Sequence, residues 1–507
     1  MMRITNSMMT SNTKNNINLN KLNEDKVNTQ MATGQKISRP SDDPVIAIRA
    51  LRLNTNLSQL NQYHDKNIPD ADAWMKVTET ALSQTNAVFD RIKENLTSGA
   101  SDTNTAEDRQ KILQTLKGLR SEIYSAGNAD YAGRTVFTGY RTGESLTFLS
   151  TDSDLDAEYD IYQELGKDAV DSLTYITCAD RTKVAGGEYK ELNVESKEIY
   201  RVRLPYDSIK SDVDCVIGGV TAEVKSITGL SQAEIDDIYT GLVDSTEAKA
   251  YLIPDTGELI ISKALKEQIE AADKTELTYA KDTWQSGDLR PEHYFACIKK
   301  EKDKDDVYYN YEQDETTGEI KKDSPNFVNQ KINVEVSFNQ KISINTNADE
   351  VYTHDIGRDV DDLLTITQDV VDLDKRIVDI KAELAKATDT SVPSKSDIQA
   401  KLDAANKEYS LKKDKMQKMF SNALNRFDGY ADRNNTAIAD IGSMSSRLKV
   451  TKERVADQLQ SFKELADDNI NISLTDTAID LKNAELALQA AQMSSAKIAQ
   501  QSLLNYL

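Results

Sequence analysis

The stretch DPVIAIRALRLNTNLSQL, residues 43–60, decides the fold class of this sequence. Asp43 followed by Pro44 is typical of a helix start, because aspartate caps free backbone N–H groups and proline has no N–H to leave unpaired. Apolar residues then recur at alternating spacings of four and three, at Ile46, Ala50, Leu53, Leu57 and Leu60. This heptad seam predicts a long helix that packs along another long helix.

Further helices are predicted on either side of the middle of the chain. Pro69 should kink or break the first pattern, which then resumes, and another helix is expected from about Thr105, with Asp108 in the capping-box position. Beyond residue 350, seams over 360–384, 398–423 and 441–462 predict long helices. The break at Pro393 predicts a helical hairpin whose second arm begins at a capping box of Ser396 and Gln399.

The two ends of the sequence differ from these helices. Eight of the first 40 residues are Asn, a poor helix former, so this segment is not expected to be helical alone. Residues 475–505 carry apolar or small residues on two sides, one through Leu481, Leu488 and Ile498 and another through Ile479, Leu486 and Met493. A helix of this kind needs burial on several sides. The ends are therefore expected to pair and to become ordered on assembly.

Residues 143–349 are predicted to form an inserted α+β domain. Tyrosine and β-branched runs at 198–204 and 307–311 indicate strands, and YLIPDTGELII, residues 251–261, indicates a hairpin with a tight turn. Alternation over 332–338 and 342–344 indicates two more strands, and two short helices are expected near 231–249 and 263–273. The fold class is therefore mainly α, with long paired helices around an α+β insertion.

Composition argues against several classes of function. The net charge is -22, which disfavours nucleic acid and anionic membranes as partners. The N-terminus lacks the apolar segment of a Sec signal peptide, and no stretch is long and apolar enough to span a membrane. Three separate cysteines and three separate histidines form no recognisable metal or catalytic motif, so no catalytic residue, metal or cofactor is expected.

Several short motifs resemble one known family. They are MRIT at residues 2–5, QMATGQKI at 30–37, RPSDDP at 39–44, GN at 127–128 with GRTVFTGY at 133–140, LALQAAQ at 486–492, and SLLNYL at 502–507. Together they resemble the hook-associated protein 3 family of bacterial flagella, which is related to flagellin. The resemblance covers about residues 1–142 and 350–507, and the middle of the chain matches nothing.

The resemblance implies a structural protein without enzymatic activity that forms the junction between hook and filament. It implies export through the flagellar type III apparatus, an extracellular location, and neighbouring copies in a ring, the hook-side junction protein, flagellin and an export chaperone as partners. It also implies a long antiparallel coiled-coil bundle in three regions: inner terminal helices (1–42 and 470–507), a long-helix bundle (43–142 and 350–469) and the outer α+β domain (143–349).

Assembly residues follow by resemblance only. They are Ile4, Met8, Thr33, Gly34, Pro40, Ser41, Asp42, Asp43, Pro44, Leu481, Leu488, Ile498, Leu503, Tyr506 and Leu507. Two alternatives share this pattern of paired terminal helices around a central domain: a flagellin-type filament subunit and a secreted type III tip or translocator protein. An enzyme or a sugar-binding protein carried on the Tyr-rich middle is a more distant alternative.

Overall fold

The computed structural model describes residues 6–101, 104–178, 194–302, 304–313, 320–326, 330–388 and 393–504. It is mostly helical, with a β-rich central region. The helices are α1 Asn6–Thr33, α2 Pro44–Gln62, α3 Ile68–Gly99, α4 Ala106–Gly127, α5 Gln232–Thr240, α6 Lys263–Ala271, α7 Ala348–Val351, α8 His354–Lys386, α9 Lys395–Ile470 and α10 Leu474–Leu504.

The strands lie in the central region, beginning with a short hairpin after α4. They are β1 Asp130–Tyr131, β2 Arg134–Thr135, β3 Glu158–Leu165, β4 Val170–Thr177, β5 Glu195–Arg203, β6 Val216–Ile217, β7 Val220–Thr221, β8 Glu223–Val224, β9 Ala250–Ile253, β10 Glu258–Ile261, β11 Thr275–Lys281, β12 Ala296–Lys300, β13 Val307–Tyr309, β14 Tyr311–Gln313, β15 Ile320–Pro325, β16 Asn333–Ser337 and β17 Gln340–Ser343.

The chain divides into two compact units. The terminal unit consists of Met1–Asp72, Val334–Ile342 and Ser446–Leu507, and the central unit of Ala73–Asn333 and Ser343–Ser445. The predicted strands over 332–338 and 342–344 form the hairpin β16–β17, and most of this hairpin groups with the terminal helices. In the terminal unit, Phe338 of the hairpin turn packs edge-on against Tyr63, with ring centroids 5.7 Å apart.

The helix starts are set by local capping. Thr105 and Asp108 form the predicted capping box of α4. The predicted box at Ser396 and Gln399 is wrong by two residues, because Ser394 and Asp397 take these roles at the start of α9: the Asp397 N–H donates to Ser394 Oγ and the Ser394 N–H donates to Asp397 Oδ2, each at 3.3 Å. A carboxylate at this position is a stronger acceptor for a free N–H than the Gln399 amide.

The predicted irregularity near Pro69 is present as a change of helix type. A five-residue π-helical segment, Tyr63–Asn67, joins α2 to α3, and Pro69 is the second residue of α3. Pro69 has no N–H to donate to the preceding turn, and the Ile68 N–H beside it donates to the Tyr63 carbonyl in the π-helical pattern. The helix therefore continues from α2 into α3, and the apolar repeat of α3 is offset from that of α2.

Helices α8 and α9 form the predicted helical hairpin of the central unit. Lys401 pairs with Glu383 near the hairpin end and Lys412 pairs with Asp369 further along, so the two helices run antiparallel. The predicted seam of α8 is buried from Val360 to Ile380, and its last residue, Leu384, is half-buried. Apolar burial along a seam of this length is what holds two long helices together.

Two sheets form the β-rich part of the central unit. One has the strand order β4-β5-β10-β9-β8, with only the β8–β9 pair parallel, and the other has the order β13-β12-β3-β11-β6-β7 with antiparallel pairs throughout. Their core holds Phe148 stacked on Trp284, with ring centroids 4.8 Å apart, and Tyr159 edge-on to the same Trp284 at 5.2 Å. The predicted α+β nature of this region, with short helices α5 and α6, is confirmed.

The predicted hairpin at residues 251–261 is formed by β9 and β10. Its turn needs Gly257, whose φ is +64° and where a Cβ atom would come within 1.9 Å of the Tyr206 carbonyl oxygen. Only glycine fits a position that combines a left-handed backbone with so close an approach.

Buried ion pairs join the sheet to the long helices of the central unit. Asp359 of α8, 4% exposed, accepts from Arg203 of β5 at 2.7 Å and from Arg426 of α9 at 2.8 Å. The Tyr430 hydroxyl also donates to it at 2.8 Å. One carboxylate thus links three elements, and Arg203 is shared with a second carboxylate of α8, Asp362, at 2.8 Å.

The three cysteines are buried and form no disulfide with one another. Among the described residues, no helix combines the length and the hydropathy that crossing a bilayer requires.

Candidate assembly surface

The terminal unit is built on the antiparallel pair of α1 and α10. The Asn20 side-chain amide of α1 donates to the Ala487 carbonyl of α10 at 3.3 Å, while the C-terminal end of α1 lies next to the start of α10. The contact face of α10 has heptad spacing and is buried or half-buried: it consists of Thr477, Leu481, Ala484, Leu488, Ala491 and Ser495. This is the first of the two predicted sides of the last helix.

The matching face of α1 also has heptad spacing but is more polar. It consists of Thr13, Ile17, Asn20, Glu24, Val27 and Met31, all buried or half-buried. Ile17, Val27 and Met31 are its only large apolar side chains. Since hydrophobic stabilisation scales with the apolar area removed from water, this seam holds the two helices together weakly.

A short backbone clamp closes the pair at one end. The Lys36 N–H donates to the Ile470 carbonyl at 2.7 Å, and the Ile472 N–H donates to the Gly34 carbonyl at 3.0 Å. Gly34, with φ at +71°, ends α1 in the left-handed conformation that glycine adopts at helix C-termini. The Lys36 ammonium group also donates to the Asp468 carbonyl oxygen.

The residues of the RPSDDP motif form hydrogen bonds within the turn between α1 and α2. One oxygen of Asp42 accepts from the backbone N–H groups of Ser38 and Arg39, at 3.2 and 2.9 Å. The hydrogen bond from the Arg39 N–H lowers the pKa of the Asp42 carboxyl. Asp43 caps α2 by accepting from the Val45 and Ile46 N–H groups, with Pro44 in the first helical turn, as predicted.

A second apolar stripe on α10 faces away from α1. Ile479, Leu486 and Met493 follow one another at intervals of seven residues and are all more than half exposed. Counted in the same heptads as the residues that contact α1, these positions lie on the opposite side of the helix. This outer stripe is the second predicted side of α10, and within the described residues nothing covers it.

Exposed apolar side chains recur elsewhere in the terminal unit. On α1 they include Leu19 and Leu22, and on α2 they are Val45, Ile48 and Leu51, each more than half exposed. Monomeric soluble proteins rarely expose so many large apolar groups on neighbouring helix turns, and such patches mark interaction sites. The outer stripe and these groups are the candidate assembly surface.

The fifteen site residues predicted by resemblance fall into distinct places. Ile4, Tyr506 and Leu507 lie outside the described residues, and Ile498 and Leu503 lie in the part of α10 whose side chains are not described. Leu481 and Leu488 lie in the α1–α10 seam, and Met8 is half exposed. Thr33, Gly34, Pro40, Ser41, Asp42, Asp43 and Pro44 form the end of α1, the following turn and the start of α2.

Sequence reasoning missed the backbone clamp and one supporting contact. The Asn469 side-chain amide donates to the Ile46 carbonyl at 3.2 Å, which ties the end of α9 to the first turn of α2. The run DDNINIS at residues 467–473 carried the only available signal, because asparagine near a helix end often binds backbone groups. Its partners are distant in sequence, so the pairing itself was not predictable.

Comparison with known proteins shows which class the N-terminal part of this chain resembles. Residues 4–142 match the family model described as the bacterial flagellin N-terminal helical region. Flagellin of Clostridium tyrobutyricum is 26% identical over 143 residues, which cover 28% of this chain and 38% of that protein. Residues 4–142 are thus similar to the N-terminal helical region of flagellin-related proteins.

Within this class, the predicted resemblance to hook-associated protein 3 is confirmed. Flagellar hook-associated protein 3 of Salmonella typhimurium is 31% identical over 144 residues, covering 28% of this chain and 44% of that protein. The solved structure of hook-associated protein 3 from Legionella pneumophila was also compared with this chain. The superposition covers 82% of this chain and 97% of the Legionella chain, at 10% sequence identity and a TM-score of 0.28. The chain spans less than half the length of the curated relatives it matches.

Proposed function

We propose that this protein is a structural subunit of the bacterial flagellum that forms the junction between hook and filament. In this proposal it is exported by the flagellar type III apparatus and assembles through its terminal helices. The observation that carries the proposal is the outer stripe of α10, Ile479, Leu486 and Met493, which is apolar, regular and exposed. Exposed apolar surfaces of this kind mark sites at which a protein contacts a partner.

The predicted three-region division is part of the proposal. Residues 1–42 and 470–507 form the inner layer of a tube, 43–142 and 350–469 a surrounding bundle of long helices, and 143–349 the outer domain. The heptad burial on facing sides of α1 and α10 supports an antiparallel coiled coil for the inner layer. Further copies in a ring, the hook-side junction protein and flagellin are then the partners that contact the outer stripe.

The polar seam between α1 and α10 supports ordering of the ends on assembly. Asn20 and Glu24 occupy seam positions where coiled coils place apolar residues, so the pair alone is only weakly stable. We propose that neighbouring subunits supply the missing apolar contacts, which keeps the free chain from polymerising before export and leaves its ends available to an export chaperone. Hydrogen exchange tests this: residues 6–30 should exchange rapidly in the free chain, and full protection there contradicts it.

Electron microscopy of cells that lack this gene tests the junction role. The proposal predicts bare hooks and free flagellin in the culture medium, because filament subunits are exported but have nothing to assemble on. Complementation with the full-length gene is the control and should restore filaments. Normal filaments in the deletion strain contradict the proposal.

A flagellin-type filament subunit is the second candidate, favoured by the match to a flagellin. It is separated from the junction role by location and copy number. Antibody labelling of this protein along the whole filament supports the filament subunit, whereas labelling confined to the hook–filament boundary supports the junction subunit.

A further inference from the structure

Three side chains of the central unit converge in a buried cluster. Glu144 lies in the loop after β2, and Glu292 and His293 end the 3-10 turn Pro291–His293. One potential ligand atom of each residue lies within 4.8 Å of those of the other two. Glu292 is 1% exposed and His293 is 7% exposed.

Each of the three side chains carries a buried polar atom without a hydrogen-bond partner. These atoms are Glu144 Oε2, Glu292 Oε2 and His293 Nδ1. A buried polar atom left unpaired is destabilising, and each such atom in a native protein calls for an explanation. Three of them in one cluster, all lone-pair donors, have a common explanation in a bound cation.

The remaining polar atoms of Glu292 and His293 have partners that orient the unpaired ones. His293 Nε2 lies 3.1 Å from the Ser145 carbonyl oxygen, and because a carbonyl only accepts, Nε2 carries the proton and Nδ1 keeps its lone pair. Arg290 Nη1 donates to Glu292 Oε1 at 3.2 Å. Outer hydrogen bonds of this type fix the ring orientation and tautomer of metal-binding histidines.

The backbone around the cluster is also held in place. The Glu292 carbonyl accepts from Arg141 Nη1 at 2.5 Å and from the Asn310 side-chain amide at 3.0 Å. The Glu144 carbonyl accepts from the Thr135 hydroxyl at 2.8 Å. The two backbone segments that carry the cluster are therefore positioned without any contribution from the unpaired atoms.

The charge balance of the cluster suits a divalent cation. Arg290 is matched by Asp152 and Asp154, at 2.7 and 2.9 Å, in addition to Glu292. A cation between the two carboxyl groups would offset the cost of burying their charge.

We propose that Glu144, Glu292 and His293 form a binding site for one divalent transition-metal ion. Glu144 Oε2, Glu292 Oε2 and His293 Nδ1 are its protein ligands, and water completes the coordination shell. One imidazole nitrogen and two carboxylate oxygens suit zinc or manganese better than the hard, all-oxygen preference of calcium or magnesium. The ion would cross-link the loop after β2 to the turn that precedes β12.

Isothermal titration of the untagged, chelator-treated full-length chain tests the site with Zn²⁺ and Mn²⁺ separately. We expect one equivalent of one of these ions to bind, with binding to Ca²⁺ and Mg²⁺ much weaker. Glu144→Gln removes one ligand from a half-buried position and should weaken binding by about 100-fold or more, since even outer-shell partners contribute roughly 10- to 100-fold. His64→Asn, which removes a half-buried histidine beside Asp65, is the matched control and should bind as the wild type does.

Two further measurements distinguish a loss of metal binding from a loss of folding in the variant. The thermal unfolding temperature of Glu144→Gln in chelator should match that of the wild type, and the metal should raise it only in the wild type. Absorption spectroscopy of the Co²⁺-loaded wild type should show the visible bands of a nitrogen- and oxygen-coordinated ion. Absence of stoichiometric binding, or equal affinity in the wild type and Glu144→Gln, would overturn the proposal.

Discussion

The terminal and central units differ in where they place large apolar side chains. The core of the central unit stacks Phe148, Tyr159 and Trp284, each less than 5% exposed. Most of the exposed large apolar side chains among the described residues lie in the terminal unit: Met8, Met9, Leu19, Leu22, Val45, Ile48, Leu51, Phe338, Val450, Leu465, Leu474, Ile479, Leu486 and Met493. The central unit therefore buries most of its large apolar side chains, whereas the terminal unit leaves many of its large apolar side chains exposed.

This difference separates residues that fold the chain from residues that assemble it. A side chain in the central core stabilises the isolated subunit by removing apolar area from water. A side chain of the outer stripe removes no such area until a partner covers it. Substitutions in the central core should therefore lower the stability of the isolated chain, whereas substitutions in the outer stripe should impair assembly.

The largest expected effect on folding is at Phe148. Phe148→Ala removes the ring that stacks on Trp284 and leaves a cavity, which should lower the free energy of unfolding by about 3–5 kcal/mol. Chemical denaturation followed by tryptophan fluorescence measures this loss. A change below about 1 kcal/mol would contradict a well-packed central core.

An intermediate effect is expected at the start of α2. Asp43→Ala removes the carboxylate that accepts from the Val45 and Ile46 N–H groups and should destabilise the terminal unit by about 1 kcal/mol. Asp43→Asn keeps a capping oxygen and is the matched control. Site-specific hydrogen exchange in α2 should rise in the alanine variant and stay near the wild-type rate in the asparagine variant.

A smaller effect on folding is expected on the outer stripe. Leu486→Ala should change the free energy of unfolding of the isolated chain by no more than about 0.5 kcal/mol, because the side chain is 53% exposed. Denaturation of the purified chain checks this value. A loss comparable to that of Phe148→Ala would show that the stripe is covered within the subunit itself.

The smallest effect concerns the turn before α2. Because the folded-state pKa of Asp42 is lowered, its carboxylate stabilises the turn above the unfolded-state pKa, and this contribution is lost as the pH falls through the folded-state value. An NMR titration should give a midpoint for Asp42 below 3.8, the ordinary value. In an Arg39→Pro variant, which removes the donating N–H, the midpoint should rise.

Periodic features of this fold were predictable from sequence, and contacts between distant segments were not. The start of α2 at Asp43–Pro44, the α8 seam and both sides of α10 follow from heptad spacing and capping, which are local properties. The pairing of Lys36 with Ile470, and the grouping of β16–β17 with the terminal helices, join segments hundreds of residues apart. No local pattern encodes those contacts.

The candidate sites show the same limit. The outer stripe of α10 is predictable from the apolar periodicity of the sequence. The cluster of Glu144, Glu292 and His293 gave no such sign, since no metal-binding motif relates the three positions and the sequence predicted no metal. Only the fold brings Glu144 to a turn that lies about 150 residues further along the chain.

Incorporation of Leu486→Asp into the flagellum tests the central claim most directly. Val378→Asp is the matched control, because Val378 is 61% exposed on α8 of the central unit and carries the same change in charge. Both variants are expressed in the deletion strain, the secreted protein is quantified, and junctions are imaged by immunogold electron microscopy. We expect Leu486→Asp to be secreted but missing from bare hooks, whereas Val378→Asp should restore filaments. Normal filaments with Leu486→Asp would contradict assembly through the outer stripe.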